Sequence, residues 1–241
     1  MTLETNLINI VLVDTIHPGN IGSVARAMKT MGLQRLSLVN PRVFPSGEST
    51  ALAGNATDVL ENATIFDSIK DAIKDSTFVY ATSARDRSIQ WPIMNAEQAA
   101  TDICNEVNSK KEVSIIFGKE DRGLTNEELE LANKLIEIPA NPKYPVLNLA
   151  MSAQIICYEI LKASSKDEKR EWRDYPEVSS DQLQRLIDHF IETAVEIDVI
   201  DPDNPKKIIS RIKRMFTRLQ PDEMEASFMR GFLSGIKKKL K

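Results

Sequence analysis

The sequence predicts an α/β domain built on a mostly parallel sheet, followed by a small helical domain. Three observations carry that expectation. Over residues 1–163, apolar β-branched runs alternate with segments of helical period. Residues 164–180 are charged and poorly periodic, as a linker would be. From 181 to 241 only helical patterns remain, interrupted at Pro202, Pro205 and Pro221.

Along the chain, Leu7–Val13 is an apolar strand, and Gly19–Met31 has helical spacing that stops at Gly32. Asn20 is placed to cap the start of that helix. Leu36–Val39 is a short apolar strand, and the small-residue stretch 47–62 is partly helical. A helix at Asp67–Lys74 precedes a strand at Thr77–Ala81. Asn95 caps a helix running to Val107, with Glu97 in its first turn. Val113–Phe117 is a buried strand. Thr125 and Glu128 form a capping box for a helix reaching Asn133. Leu135–Ile138 is the last strand. Asn148–Ala163 is a helix that is apolar nearly all round, which demands a core or an interface. Helices at Asp181–Asp198, Asn204–Leu219 and Pro221–Leu240 complete the chain.

Composition bounds the function. With 241 residues, 42% hydrophobic and 27% charged, the chain supports a sizeable core and is not a disordered one. No apolar run approaches the roughly 20 residues that span a bilayer. The N-terminus has neither a basic n-region nor a small-residue cleavage site, so a cytoplasmic protein is expected. Cys104 and Cys157 each lie in an apolar helical pattern and read as core thiols, with no disulfide and no metal expected. The net charge of −4 is unevenly spread. Asp203–Lys241 carries eleven Lys and Arg against four Asp and Glu, hence +7, which leaves −11 on the other 202 residues. A basic end on an acidic body suits a polyanionic partner, although solvated helices are often as basic.

Three segments carry the chemistry: His17–Leu33, Ile115–Leu129 and Ile138–Gln154. Gly118-Lys-Glu-Asp-Arg-Gly123 follows a strand and precedes a helix, yet Leu124 and Thr125 stand where a phosphate loop needs Lys and Ser or Thr. Gly19 and Gly22 are spaced wrongly for a dinucleotide fingerprint. ATPase, GTPase and NAD readings therefore lose their main support. What remains is a glycine-rich turn where backbone can approach a ligand closely. His17 and His189, the only histidines, have no partner in a recognised catalytic motif. Trp91 and Tyr144 can stack on a base, or pack beside a proline.

In this order, Asn20-Ile-Gly-x-x-x-Arg26, Phe117-Gly-x-Glu-x-x-Gly-Leu124 and Ile138-Pro…Leu147-Asn148 resemble the motifs of the SPOUT-class RNA ribose 2′-O-methyltransferases. The resemblance implies a C-terminal trefoil knot in the domain over 1–163, with 181–241 as a basic, tRNA-binding helical domain. It implies S-adenosyl-L-methionine as cofactor, held at Thr82, Ser83, Ala84, Gly118, Ile138, Pro145, Val146 and Leu147. It implies a homodimer acting on tRNA, at the first nucleotide of the anticodon loop, C or U. Other tRNA or rRNA positions, or a non-catalytic RNA-binding platform, are the alternatives.

Among the catalytic candidates, Arg26 matches the family arginine nearest the ribose 2′-hydroxyl. A guanidinium has no free base at neutral pH, so its role is to hold phosphate and stabilise developing alkoxide, unless it is an ordinary surface ion pair. Asn20 caps a helix or touches ribose. Glu120 pairs with Arg26 or Arg122, or orders its loop. RNA contacts are expected at Arg26, Lys206, Lys207, Arg211, Arg214 and Arg218, and the spacing of the last three places them on one helix face. One departure stands out: Val146 occupies a position where related enzymes often carry Ser.

Overall fold

The computed structural model describes residues 3–84, 91–165, 172–205 and 207–240. These fall into two compact units, Met1–Glu168 and Lys169–Lys241.

The first unit is a seven-stranded parallel sheet flanked by helices. Its strands are β1 (Ile8–Val13), β2 (Arg35–Val39), β3 (Thr64–Phe66), β4 (Phe78–Thr82), β5 (Ile93–Asn95), β6 (Val113–Phe117) and β7 (Lys134–Glu137). Their spatial order is β3-β2-β1-β6-β4-β7-β5. The central strands are apolar at nearly every position because both faces are covered. Ile8, Ile10 and Leu12 point into a core with α1 (Pro18–Thr30), α5 (Ala96–Asn108) and α7 (Leu149–Ser164). Short helices α2 (Gly47–Ala53) and α3 (Thr57–Glu61) close the same side. Val11 and Val13 point oppositely, toward α4 (Ile69–Ile73) and α6 (Asn126–Leu129). Asn9, buried on that second face, is fully engaged. Its amide donates to the Ala72 carbonyl and to Ser114 Oγ, and its oxygen accepts from Ser37 Oγ.

Four differences from the sequence-based expectation have physical causes. Strands β3 and β5 were not anticipated; each has three residues, too few to show a period, and sits at a sheet edge. Helix α6 ends near Leu129 rather than Asn133. Asn133 is instead clamped to β4: its N–H reaches the Val79 carbonyl at 2.8 Å, and its Oδ1 accepts from the Val79 N–H at 2.7 Å. Helix α1 is capped at His17, not Asn20, because Pro18 takes the first helical position, where its fixed φ fits and no N–H is missed. The predicted helix from Asn204 starts at Ile208 as α9 (Ile208–Leu219).

Capping by Asn95 and Thr125 is as the sequence indicates, with Gln98 completing the Asn95 box, and the structure adds Asn148 as the cap of α7. Gly32 follows α1 with φ +77°, the left-handed conformation that ends a helix.

The second unit packs α8 (Ser180–Glu196), α9 and α10 (Glu223–Leu240) around Leu186, Ile187, Ile212, Phe216 and Leu233. Phe190 and Phe216 meet edge to face at 5.2 Å. No described helix is long and apolar enough to cross a membrane.

Candidate active site

Strands β6, β4 and β7 are adjacent in the sheet, so the loops leaving their carboxyl ends converge. Between them lies a cleft open to solvent. Thr82, Ser83, Ala84, Gly118, Ile138, Pro145, Val146 and Leu147 all line it. Phe117, Leu124, Ile136 and Leu149 add apolar wall, and Lys119, Glu120, Asp121 and Arg122 add charge.

Two of the loops are held at their roots by bonds to backbone. The Ser83 N–H donates to the Ile136 carbonyl at 3.0 Å, and Thr82 Oγ1 donates to the Ile116 carbonyl at 3.2 Å. The turn after β6 closes with the Gly123 N–H on the Lys119 carbonyl at 2.9 Å. That closure requires both glycines. Gly123 has φ +69°, and a Cβ on Gly118 would lie 2.4 Å from the Gly123 and Leu124 backbone. Lys119 Nζ reaches Asp14 Oδ2 at 2.7 Å, tying the turn to the end of β1.

Glu120 fulfils the loop-ordering alternative and pairs with neither Arg26 nor Arg122 among the described contacts. Its Oε2 accepts from the Ile16 N–H at 2.9 Å, and its Oε1 accepts from the His17 N–H at 3.1 Å and Asn20 Nδ2 at 2.9 Å. The carboxylate thus sits at the start of α1, where the helix dipole favours negative charge. Burial opposes its ionisation. Donation from Ile16, Asn20 and His17 outweighs that cost and holds the pKa below the usual carboxylate value. Asn20 in turn accepts from Asn148 Nδ2 at 3.1 Å, while Asn148 Oδ1 caps α7 through the Ala150 and Met151 N–H groups. One residue from each of the three motifs is therefore joined in a single chain of hydrogen bonds.

Arg26 lies elsewhere. It is exposed on α1 and does not line the cleft of its own chain. In the second unit Lys207, Arg211, Arg214 and Arg218 are exposed, the last three on α9, whereas Lys206 lies outside the described residues. Trp91 packs partly buried against the core beneath α4 and α6, and Tyr144 is 81% exposed on the loop after β7. Both cysteines are free and buried, and burial pushes the Cys157 thiol up to about 12. Among the described residues no group of His, Cys, Asp or Glu is arranged to hold a metal ion.

Sequence reasoning missed Ser152, Asp121 and Arg122 as cleft residues. A signal for Ser152 existed. It lies one turn beyond the cap Asn148, and its hydroxyl donates to the Asn148 carbonyl at 3.1 Å.

A parallel sheet with motif-bearing loops around one cleft at its strand ends defines an α/β protein built to hold a small ligand there. The chain belongs to the SpoU rRNA Methylase family, which residues 7–158 match, and this bears out the resemblance read from the three motifs. Residues 181–241 match the C-terminal domain of the tRNA methyltransferase TrmJ. The tRNA (cytidine/uridine-2′-O-)-methyltransferase TrmJ of Pectobacterium atrosepticum is 42% identical over 236 residues, covering 96% of this chain and 97% of the relative. A Pseudomonas aeruginosa relative, named as a tRNA (cytidine/uridine/adenosine-2′-O-)-methyltransferase, is 38% identical and covers 96% of this chain and 94% of its own. The crystal structure of TrmJ from Z. mobilis superposes with a TM-score of 0.78 at 32% identity, covering 95% of this chain and 98% of the other.

Proposed function

We propose that this chain transfers the methyl group of S-adenosyl-L-methionine to a ribose 2′-hydroxyl of tRNA, at the first nucleotide of the anticodon loop. The observation that carries the reading is the cleft at the ends of β4, β6 and β7, in a chain with which relatives named as tRNA (cytidine/uridine-2′-O-)-methyltransferases align over nearly its full length. The cleft suits the ligand. Phe117, Leu124, Ile136 and Leu149 give it apolar walls, and the strand-end loops offer backbone to read an adenine edge. When bound, S-adenosyl-L-methionine supplies an activated methyl on a cationic sulfur. The threading of the loop after β7 into a trefoil knot belongs to the same reading.

The chain's own residues supply positioning and charge. Glu120 is a poor base, since its oxygens are committed to three donors and its pKa is lowered. Its role is to fix the start of α1, the helix that carries Arg26. The guanidinium of Arg26 stabilises negative charge on the 2′-oxygen as it forms.

Because Arg26 does not line its own cleft, the reading places it in the cleft of a second copy. The outer face of α7 supports a homodimer. Although Ala153, Ile156 and Ile160 are buried, Met151 is 63% and Tyr158 50% exposed on the same helix.

The test is methyl transfer from labelled S-adenosyl-L-methionine to unmodified tRNA, with the product nucleotide mapped by mass spectrometry. Label at a 2′-oxygen of the first anticodon-loop nucleotide is expected. Cofactor-dependent thermal stabilisation without any transfer would instead leave a non-catalytic RNA-binding platform.

A further inference from the structure

We infer that Met224, Phe228 and Phe232, one above another on α10, form a platform on which unpaired bases of an RNA stack, a proposal that rests on the tRNA reading above. The spacing i, i+4, i+8 puts the three on one stripe. The opposite side of α10 is spent on the domain core. There Ala226 and Leu233 are buried, and Lys237 reaches Glu192 and Glu196 of α8. Phe228 is nevertheless 75% exposed and Phe232 63%, with Met224 exposed beside them. Single exposed apolar side chains are ordinary; a continuous stripe with two open phenyl rings marks a contact surface. Gly231 and Gly235 lie on the same stripe, and a Cβ at either would meet nothing within 4 Å. The rings are therefore flanked by bare backbone, and their faces are open.

Charge selects the occupant. The stripe runs into Lys238 and Lys239, for which no described carboxylate lies within ion-pairing distance. It sits in the segment Asp203–Lys241, which carries +7. Two such segments repel one another, whereas a polyanion is drawn to either. An aromatic face bordered by unpaired cations is the arrangement that holds single-stranded nucleic acid. Every base offers a π-face, and the cations follow the backbone. Loop bases, already unpaired, meet it without the cost of melting a duplex.

Stacking and phosphate contacts have different signatures, which makes the proposal testable on the full-length chain. Phe228→Ala with Phe232→Ala should weaken binding of an anticodon stem-loop RNA by about tenfold or more, leaving the slope of log affinity against log salt unchanged. Affinity for a fully paired duplex of equal length should not move. Phe228→Trp with Phe232→Trp should keep or raise loop affinity. Melting temperatures within a few degrees of wild type are expected, because the rings leave no cavity. Unchanged loop affinity in the alanine variant overturns the proposal. So does a loss of self-association in sedimentation without a loss of RNA affinity, which would make this face a contact with a second copy. A wild-type chain that neither binds nor methylates tRNA would overturn the functional reading first. A wild-type chain that does both, with an alanine variant equal to it, removes the stacking inference alone.

Discussion

Glu120 Oε1 accepts a 2.9 Å hydrogen bond from Asn20 Nδ2, joining the turn after β6 to the first turn of α1. The same carboxylate takes the Ile16 and His17 N–H groups, so its charge is shared among three donors. Glu120→Gln is expected to destabilise the first domain by about 2–3 kcal/mol, because the amide cannot accept on both sides and donates into a cluster of donors. The pH dependence has a definite sign. With the folded pKa lowered, the stabilisation is fully present above the usual carboxylate value and fades as pH falls through the folded pKa. Denaturation midpoints should therefore drop more steeply toward acid in the wild type than in Glu120→Gln. Parallel curves would mean that the carboxylate is not the group responsible.

Arg26 and Gly118 are expected to fail separately and to complement each other. Gly118→Ala sets a methyl 2.4 Å from the Gly123 and Leu124 backbone and so deforms the cleft. Arg26→Ala removes a cation that the chain's own cleft does not use. If each Arg26 serves the other copy, heterodimers of the two variants contain one intact site and recover up to about half of wild-type activity. Recovery of none, with heterodimers shown to be present, would place both residues in one subunit's chemistry.

On α9 the prediction concerns salt. Arg211, Arg214 and Arg218 are exposed and share a face. Replacing all three with alanine should flatten the slope of log affinity against log salt by up to about three counterion units and weaken tRNA binding at low salt. An unaltered slope would show that the face is only solvated.

Val146 is exposed on the cleft wall, and Val146→Ser is expected to change turnover by less than about tenfold, or 1.4 kcal/mol of barrier. The position then contributes backbone and an apolar surface rather than a hydroxyl. A gain well beyond tenfold on installing serine would identify a proton route that valine lacks.

Much of this arrangement was legible in the residues themselves. Short, mostly apolar runs such as Val113–Phe117 gave the buried parallel strands, because five residues are too few for a helix that is apolar all round. Asn95 and Thr125 announced their helices through cap chemistry, which is local and therefore visible. What could not be read was set by partners far along the chain. Asn133 leaves its helical pattern because Val79 claims both its N–H and its side chain. The start of α1 was misplaced because Pro18, not the better-known capping type Asn20, fixed the first turn, freeing Asn20 for Glu120 and Asn148. The strand order that brings the loops of β4, β6 and β7 together likewise has no signature in periodicity.

The hydrogen-bond chain from Glu120 through Asn20 to Asn148 also bears on when the site forms. Its two links close intervals of 100 and 128 residues, among the longest in the domain. Closing such intervals costs chain entropy that only an already docked sheet and α1 can offset. Local helices and the neighbouring strands β1 and β2 can assemble without it. These bonds should therefore be made on the native side of the folding barrier, so that weakening them speeds unfolding and leaves the folding rate almost unchanged. The cleft would then be the last part of the domain to be completed and the first to open.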